Sequence, residues 1–127
     1  MDRVLLVGIG GFLGSILRYA FSGLSQSLFP SAVFPIGTMI INLSGCFVIG
    51  LLSQLAETQN AFSDLTRALV FVGVLGGYTT FSTFGNESIN LFRSGEFRPG
   101  ALNVLVQVLG GLFLVWAGRT SGQLIWR

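Results

Sequence analysis

The sequence predicts an all-α integral membrane protein with four transmembrane helices in a single domain, residues 1–127. Of its 127 residues, 51% are hydrophobic and only 9% are charged, and the mean hydropathy is +0.75, whereas soluble domains carry about 25% charged residues. Residues 76–84 are rich in Gly, Thr and Ser although they lie inside the third apolar stretch. Irregular backbone at membrane depth is tolerated only where protein buries it or where it lines a cavity. We therefore expect the third helix to be broken near its centre.

The bounds of the four spans follow from the lengths of the apolar stretches and from the residues that interrupt helices. About 20 residues at 1.5 Å each are needed to cross a core of about 30 Å, which places the spans at about 4–21, 35–55, 67–92 and 100–118. A polar Ser-Gln-Ser segment at 25–27 and the prolines at 30 and 35 separate the first two helices. Polar segments at 57–64 and 93–99 form the other loops.

The first apolar run is expected to be a retained span. No A-x-A-like cleavage site follows it and Arg18 interrupts it, so no signal peptide is expected to be cleaved. Small residues spaced four apart favour close helix packing. These pairs are Gly10/Gly14, Gly11/Ser15, Cys46/Gly50 and Gly73/Gly77.

Composition excludes several classes of function. The chain has no histidine and a single cysteine, Cys46, which argues against His-based acid–base catalysis, His or CxxC metal sites and disulfides. Its seven arginines are scattered rather than clustered, so no nucleic-acid partner is expected. No nucleophile, base and orienting group occur together in the spans, so we predict that the protein is not an enzyme.

The arginines carry almost no signal for one orientation. Four would lie on the side of both termini and three nearer the other side, although an excess of positive charge normally sets orientation. The four are Arg3, Arg67, Arg119 and Arg127, and the three are Arg18, Arg93 and Arg98. Two interpretations are open. Either the positions of the arginines or the insertion machinery set one orientation despite the weak charge bias, or the chain inserts in both orientations and pairs with an inverted copy as an antiparallel homodimer.

Polar residues inside the spans mark a candidate pathway. Thr38 and Asn42 are four apart on the second span and Gly45 continues their face; Asn42 either faces a pathway or bonds a neighbouring helix. Ionisable groups inside membranes are costly and mark pathways or ion pairs, so Glu87 is assigned to a pathway mouth or to a pair with Arg18. Arg18 alternatively snorkels to the interface.

Other span residues extend the same candidate pathway. Thr80, Thr83 and Glu87 fall at i, i+3 and i+7. Phe81 and Phe84 are ordinary packing residues or present their positive ring edges to an anion. On the fourth span, Asn103 and Gln107 are four apart and are possible hydrogen-bond donors to an ion.

The run GGYTTFSTF at 76–84, followed by Glu87, resembles the signature of the Fluc family of small microbial fluoride channels. The resemblance extends to GFLGSILR at 11–18 and, in the second span, to Gly37-Thr38 and Asn42-Leu43-Ser44-Gly45. It therefore covers nearly the whole chain.

The resemblance implies a dual-topology homodimer with two fluoride pores and a central structural sodium ion. The sodium ligands would be the backbone carbonyls of Gly76 and Thr79 from each subunit. Phe81 and Phe84 would line the pores and Asn42 would donate to the ion. Thr80, Ser82 and Thr83 would also line the pore. Thr80 and Thr83 would form a polar track with Glu87, and Arg18 would lie near a vestibule. Asn103 and Gln107 match the family pattern only loosely.

The function implied is passive fluoride efflux across the inner or plasma membrane, which lowers cytoplasmic fluoride and protects against its toxicity. A series of neutral donors would replace the water of a small, strongly hydrated anion without trapping it. The alternative is a small proton-coupled multidrug exporter, which needs a carboxylate in its first span. No acid lies between Asp2 and Glu57. An accessory subunit without transport activity is the third possibility.

Overall fold

A computed structural model describes residues 1–126, so Arg127, counted above among the arginines on the side of both termini, lies outside the described residues. Within them, four helices are long and apolar enough to cross a membrane. They are α1 (Asp2–Leu28), α2 (Ile36–Gln59), α3 (Asp64–Arg93) and α4 (Phe97–Ile125).

The helices extend beyond the predicted spans, and the expected loop at 25–27 is wrong because these residues form the last turn of α1. Serine hydroxyls explain the difference: Ser25 donates to the Phe21 carbonyl and Ser27 to the Leu24 carbonyl, at 2.9 and 2.8 Å. Both side chains thus take backbone partners in α1 itself, one turn back along the chain. At the start of α4, Pro99 falls in the first turn, where a missing N–H costs no hydrogen bond.

The backbone of α3 is extended at two adjacent residues near its middle. Thr79 has φ −82° and ψ 160°, and Thr80 has φ −152° and ψ 114°. The chain is helical again from Phe81 to Arg93, where the Thr80 side chain caps the new helical segment by accepting a hydrogen bond from the Thr83 N–H. We call Thr79 and Thr80 the extended pair.

Glycines set the main helix contacts, which join α1 to the first half of α3 and α2 to α4. A Cβ placed on Gly73 would lie 2.8 Å from the Cα of Gly10, and one on Gly118 would lie 2.9 Å from the Leu51 nitrogen. Only glycine allows the backbones to approach this closely, as expected where lipid removes the hydrophobic drive between helices.

Two stretches are π-helical, Ala68–Leu75 in α3 and Val106–Gly110 in α4. The wider turn holds one more residue than an α-helical turn, so it changes which side chains face the neighbouring helices, and such segments are frequent at functional sites. Gln107 lies in the second stretch.

Most charged residues lie near the helix ends, with Arg18 and Glu87 as the exceptions. Arg3 pairs with Asp64 at 2.8 Å, and Arg119 makes two 3.0 Å hydrogen bonds to Glu57. The lateral surface is apolar instead, because large side chains such as Phe12, Leu112 and Trp116 are exposed on the chain taken alone. Charged ends and an apolar flank identify a multi-pass membrane protein.

Candidate functional site

The main cavity is mostly apolar and lies between α2, α3 and α4 beside the extended pair. Its volume is about 490 Å³, and it opens to the surface of the single chain. Phe81 and Phe84 line it together with aliphatic side chains, and Asn42 and Gln107 contribute the side-chain amides. An apolar cavity with a few convergent polar groups is a typical site for a small ligand or ion.

Asn42 holds the extended pair from α2. Its Oδ1 accepts a hydrogen bond from the Thr80 N–H at 2.8 Å, and its Nδ2 donates to the Thr80 carbonyl at 3.0 Å. The side-chain amide thus pairs with one residue of extended backbone as a neighbouring strand would. This arrangement satisfies both peptide groups of Thr80, which is 8% exposed, where a lost partner would be costly.

A chain of neutral side chains continues from Asn42 into α4 and back to α3. Asn42 Nδ2 donates to Gln107 Oε1 at 2.7 Å, and Gln107 Nε2 donates to Asn103 Oδ1 at 2.7 Å. Asn103 Nδ2 then donates to Ser88 Oγ at 2.9 Å, and Ser88 Oγ donates to the Phe84 carbonyl at 2.7 Å. We call Asn42, Gln107, Asn103 and Ser88 the amide chain. Asn103, at its centre, is fully buried.

The two phenylalanines named from sequence lie side by side but differ in exposure. Their ring centroids are 5.5 Å apart with the planes inclined by 55°. Phe84 is buried, whereas Phe81 is 81% exposed on the single chain. The pair therefore joins the buried amide chain to an open apolar surface.

A second, polar region lies on the other side of the extended pair. Two adjacent cavities of about 350 and 380 Å³ share Ser22, Thr38 and Thr83. Glu87 lines the first cavity, and its Oε1 accepts a hydrogen bond from the Thr38 hydroxyl at 2.8 Å. Within residues 1–126, the buried Oε2 of Glu87 has no hydrogen-bond partner.

The proposed pairing of Glu87 with Arg18 is not present in the structure. Arg18 lines the second polar cavity, but the ion pairs found among the described residues are Arg3–Asp64 and Arg119–Glu57. Thr38 takes the position of partner because it lies on α2 directly across from the carboxylate. The two charged residues therefore border one polar region without touching.

The hydroxyls of the Thr/Ser run are arranged in a local network. Thr80 Oγ1 donates to Thr83 Oγ1 at 2.9 Å and lies 3.4 Å from Ser82 Oγ. Ser82 and Thr83 are exposed on the single chain. Because the Thr80 hydroxyl donates its proton to Thr83 Oγ1, the Thr83 hydroxyl can donate its own proton into the polar cavities that it lines.

The backbone beside the extended pair offers oxygen ligands. No hydrogen bond to the carbonyl of Gly76 or of Thr79 is found within the described part of the chain, because the Thr80 N–H bonds Asn42 instead of Gly76. Both residues line the main cavity. Two free carbonyls fit a hard cation such as sodium, which takes oxygen ligands in place of water. No group of three acidic, Cys or His side chains within residues 1–126 is arranged to bind a metal.

The structure thus brings Asn42, Thr80, Phe81, Phe84 and Gln107 together around one cavity. Asn103 lies outside the cavity lining and is buried behind Gln107, to which it is hydrogen-bonded. Arg18, Thr83 and Glu87 lie in the polar region. Sequence reasoning missed Ser88, although it falls four residues after Phe84 and eight after Thr80 on one face of α3. Ser44 was noted only as part of a motif and was given no role; its hydroxyl donates to the Ile41 carbonyl and lies 3.0 Å from the Tyr78 hydroxyl.

Comparisons with known proteins cover nearly the whole chain. The family model described as "CrcB-like protein, Camphor Resistance (CrcB)" matches residues 5–119. A protein of Methanosarcina acetivorans named "Fluoride-specific ion channel FluC 1" is 43% identical over 95% of this chain and 91% of its own length. A Methanosarcina barkeri relative, "Fluoride-specific ion channel FluC 3", is 44% identical over 94% and 89%. The Dehalococcoides mccartyi "Fluoride-specific ion channel FluC" is 38% identical over 98% and 95%.

Proposed function

The chain belongs to the family of CrcB-like proteins, and from that membership we propose that it is a fluoride-selective ion channel. The observation that carries the proposal is the name shared by relatives that are 38–44% identical to almost the full chain, each a fluoride-specific ion channel. The channel lets fluoride leave the cell passively, which lowers cytoplasmic fluoride and protects against its toxicity. Its place is the inner or plasma membrane.

The conduction path uses neutral groups. Fluoride is small and strongly hydrated, so each water that it loses must be replaced by a donor, and binding must stay weak enough for release. The amide of Gln107 and the ring edges of Phe81 and Phe84 border one cavity and supply such groups, and Asn42 lines the same cavity. Thr80, Ser82 and Thr83 continue the path towards the polar region, where Arg18 and Glu87 form a vestibule.

The working unit is an antiparallel, dual-topology homodimer with two pores. Two features of the chain support it: the near-even arginine distribution and the main cavity, which opens to the surface beside the exposed ring of Phe81. An inverted partner would cover that opening and close the path. The extended pair is the break of the third helix, and two such breaks would cross at the dimer centre.

A structural sodium ion at that centre would be held by the carbonyls of Gly76 and Thr79 from both subunits. Bound there, it would neutralise four converging carbonyl dipoles. It is not transported. Because the ligands are backbone atoms, the Tyr78 side chain between them does not compete for the site.

Efflux from liposomes tests the function. Vesicles that contain the purified protein are loaded with fluoride or chloride, and the external ion is followed with a selective electrode. Rapid loss of fluoride without chloride is expected. Equal rates for the two anions, or proton-driven drug uptake with no passive flux, would refute a fluoride channel. The exporter finds no support in the chain, since no acid lies between Asp2 and Glu57.

A further inference from the structure

The direction of every hydrogen bond in the amide chain is set by the backbone of Thr80. Rotating the Asn42 amide by 180° would place Nδ2 against the Thr80 N–H and Oδ1 against both the Thr80 carbonyl and Gln107 Oε1. Like groups would then face each other at all three contacts. The peptide groups of Thr80 therefore leave one orientation for Asn42.

The orientation of Asn42 fixes the orientations of the next two side-chain amides in the amide chain. Because Asn42 donates, Gln107 must present Oε1 to it and Nε2 to Asn103. Asn103 must then present Oδ1 to Gln107 and Nδ2 to Ser88. Each amide has two N–H donors, so the number left for an ion can be counted.

The count separates the two amides that line the cavity. Asn42 donates one amide proton to the Thr80 carbonyl and the other to Gln107 Oε1. Gln107 donates one Nε2 proton to Asn103 Oδ1, and its second Nε2 proton has no partner within residues 1–126. Asn103 also keeps one proton, but it is fully buried and does not line the cavity.

From this count we infer that Asn42 is a positioning residue that holds the extended pair and orients Gln107, and that Gln107 presents the amide N–H that contacts the anion in the main cavity. The assignment rests on the proposed fluoride channel, since it names which residue of that site meets the ion. Gln107 meets the cavity from α4, where it lies in the π-helical stretch Val106–Gly110 and accepts a hydrogen bond from Asn42 on α2.

The first test uses spectra of the unmodified protein. Side-chain amide ¹H–¹⁵N signals are recorded in lipid vesicles with sodium fluoride and with sodium chloride, and are assigned through the substitutions below. Fluoride should move a Gln107 Nε2 proton downfield and leave both Asn42 Nδ2 protons in place. A shift at Asn42 without one at Gln107 would overturn the inference.

The second test separates ion contact from positioning by kinetics. Gln107→Met removes the donor and keeps the length of the side chain, so the fluoride concentration for half-maximal efflux should rise by about tenfold or more, the scale of one hydrogen bond to a charged group. Gln54→Met is the matched control, since Gln54 is also buried but lies on α2 against Gly122, away from the cavity. Equal half-saturation in the two variants contradicts the assignment.

Asn42→Leu should behave differently. It should lower the maximal efflux rate with little change in half-saturation, and it should speed amide hydrogen exchange at Thr80 more than at Phe84. Unchanged exchange at Thr80 would remove the positioning role. If the unmodified protein passes no fluoride, the proposed function fails, whereas the exchange at Thr80 still decides the role of Asn42.

Discussion

Replacing Gly14 with alanine should destabilise the protein by about 2 kcal/mol and disturb the extended pair. A Cβ at this position would lie 2.8 Å from the Tyr78 nitrogen and 3.0 Å from the Gly77 carbonyl carbon, and closer still to the Val74 carbonyl oxygen. These are backbone atoms of α3 and have no rotamer to change. To restore an ordinary contact of 3.4 Å at the Val74 carbonyl oxygen, α3 must retreat from α1 by more than about 1 Å, and overpacking of this kind costs about 1–3 kcal/mol.

Gly8→Ala is the matched control, because Gly8 lies on the same helix as Gly14 and a Cβ placed on it would have no atom within 4 Å. Its effect should be limited to helix propensity, below about 1 kcal/mol in magnitude. Both variants are unfolded reversibly by denaturant in mixed lipid–detergent micelles and followed by far-ultraviolet circular dichroism. Free energies of unfolding that agree within about 0.5 kcal/mol would refute the close-packing argument.

Further predictions concern the pore, the cation and the assembly. Phe84→Leu keeps an apolar side chain but removes the ring edge, so fluoride efflux should fall about tenfold, whereas Phe113→Leu on the exposed face of α4 should not change it. Replacing sodium by N-methylglucamine should lower the thermal stability of the protein, and returning sodium should restore it; an unchanged melting temperature would argue against a bound ion. Tags on the termini should be accessible from both sides of the membrane in cells, and access from one side alone would rule out dual topology.

Hydropathy was sufficient to predict the number of long helices but not their ends. The ends depend on whether polar side chains find partners inside the helix. Ser25 and Ser27 do so, and α1 continues through a segment that reads as a loop. No residue type in Val106–Gly110 marks the π-helical stretch of α4.

In the candidate site, too, the sequence was sufficient to select some residues but not to predict their partners. Asn42, Asn103 and Gln107 could be selected from sequence because neutral amides inside an apolar span need partners. Their partners could not be selected, because Asn42 and Thr80 are 38 residues apart and the link to Ser88 requires α3 and α4 to be docked. Of the two alternatives for Glu87, the pair with Arg18 is wrong for the same reason, because Thr38 on α2 takes the place of partner to the carboxylate.

A chain of neutral amides is suited to a path for an anion in a way that a charged residue is not. In a low-dielectric interior an arginine beside the cavity would hold fluoride too strongly to release it, and burying it would be costly without the ion. An amide presents a partial charge that costs little when the site is empty, provided that its orientation is already fixed. Here the peptide groups of Thr80 fix it, through Asn42. The extended pair and Gln107, the proposed donor to the ion, therefore belong to one hydrogen-bonded unit, and a change that straightens the extended pair should alter anion affinity even if every side chain that lines the cavity is kept.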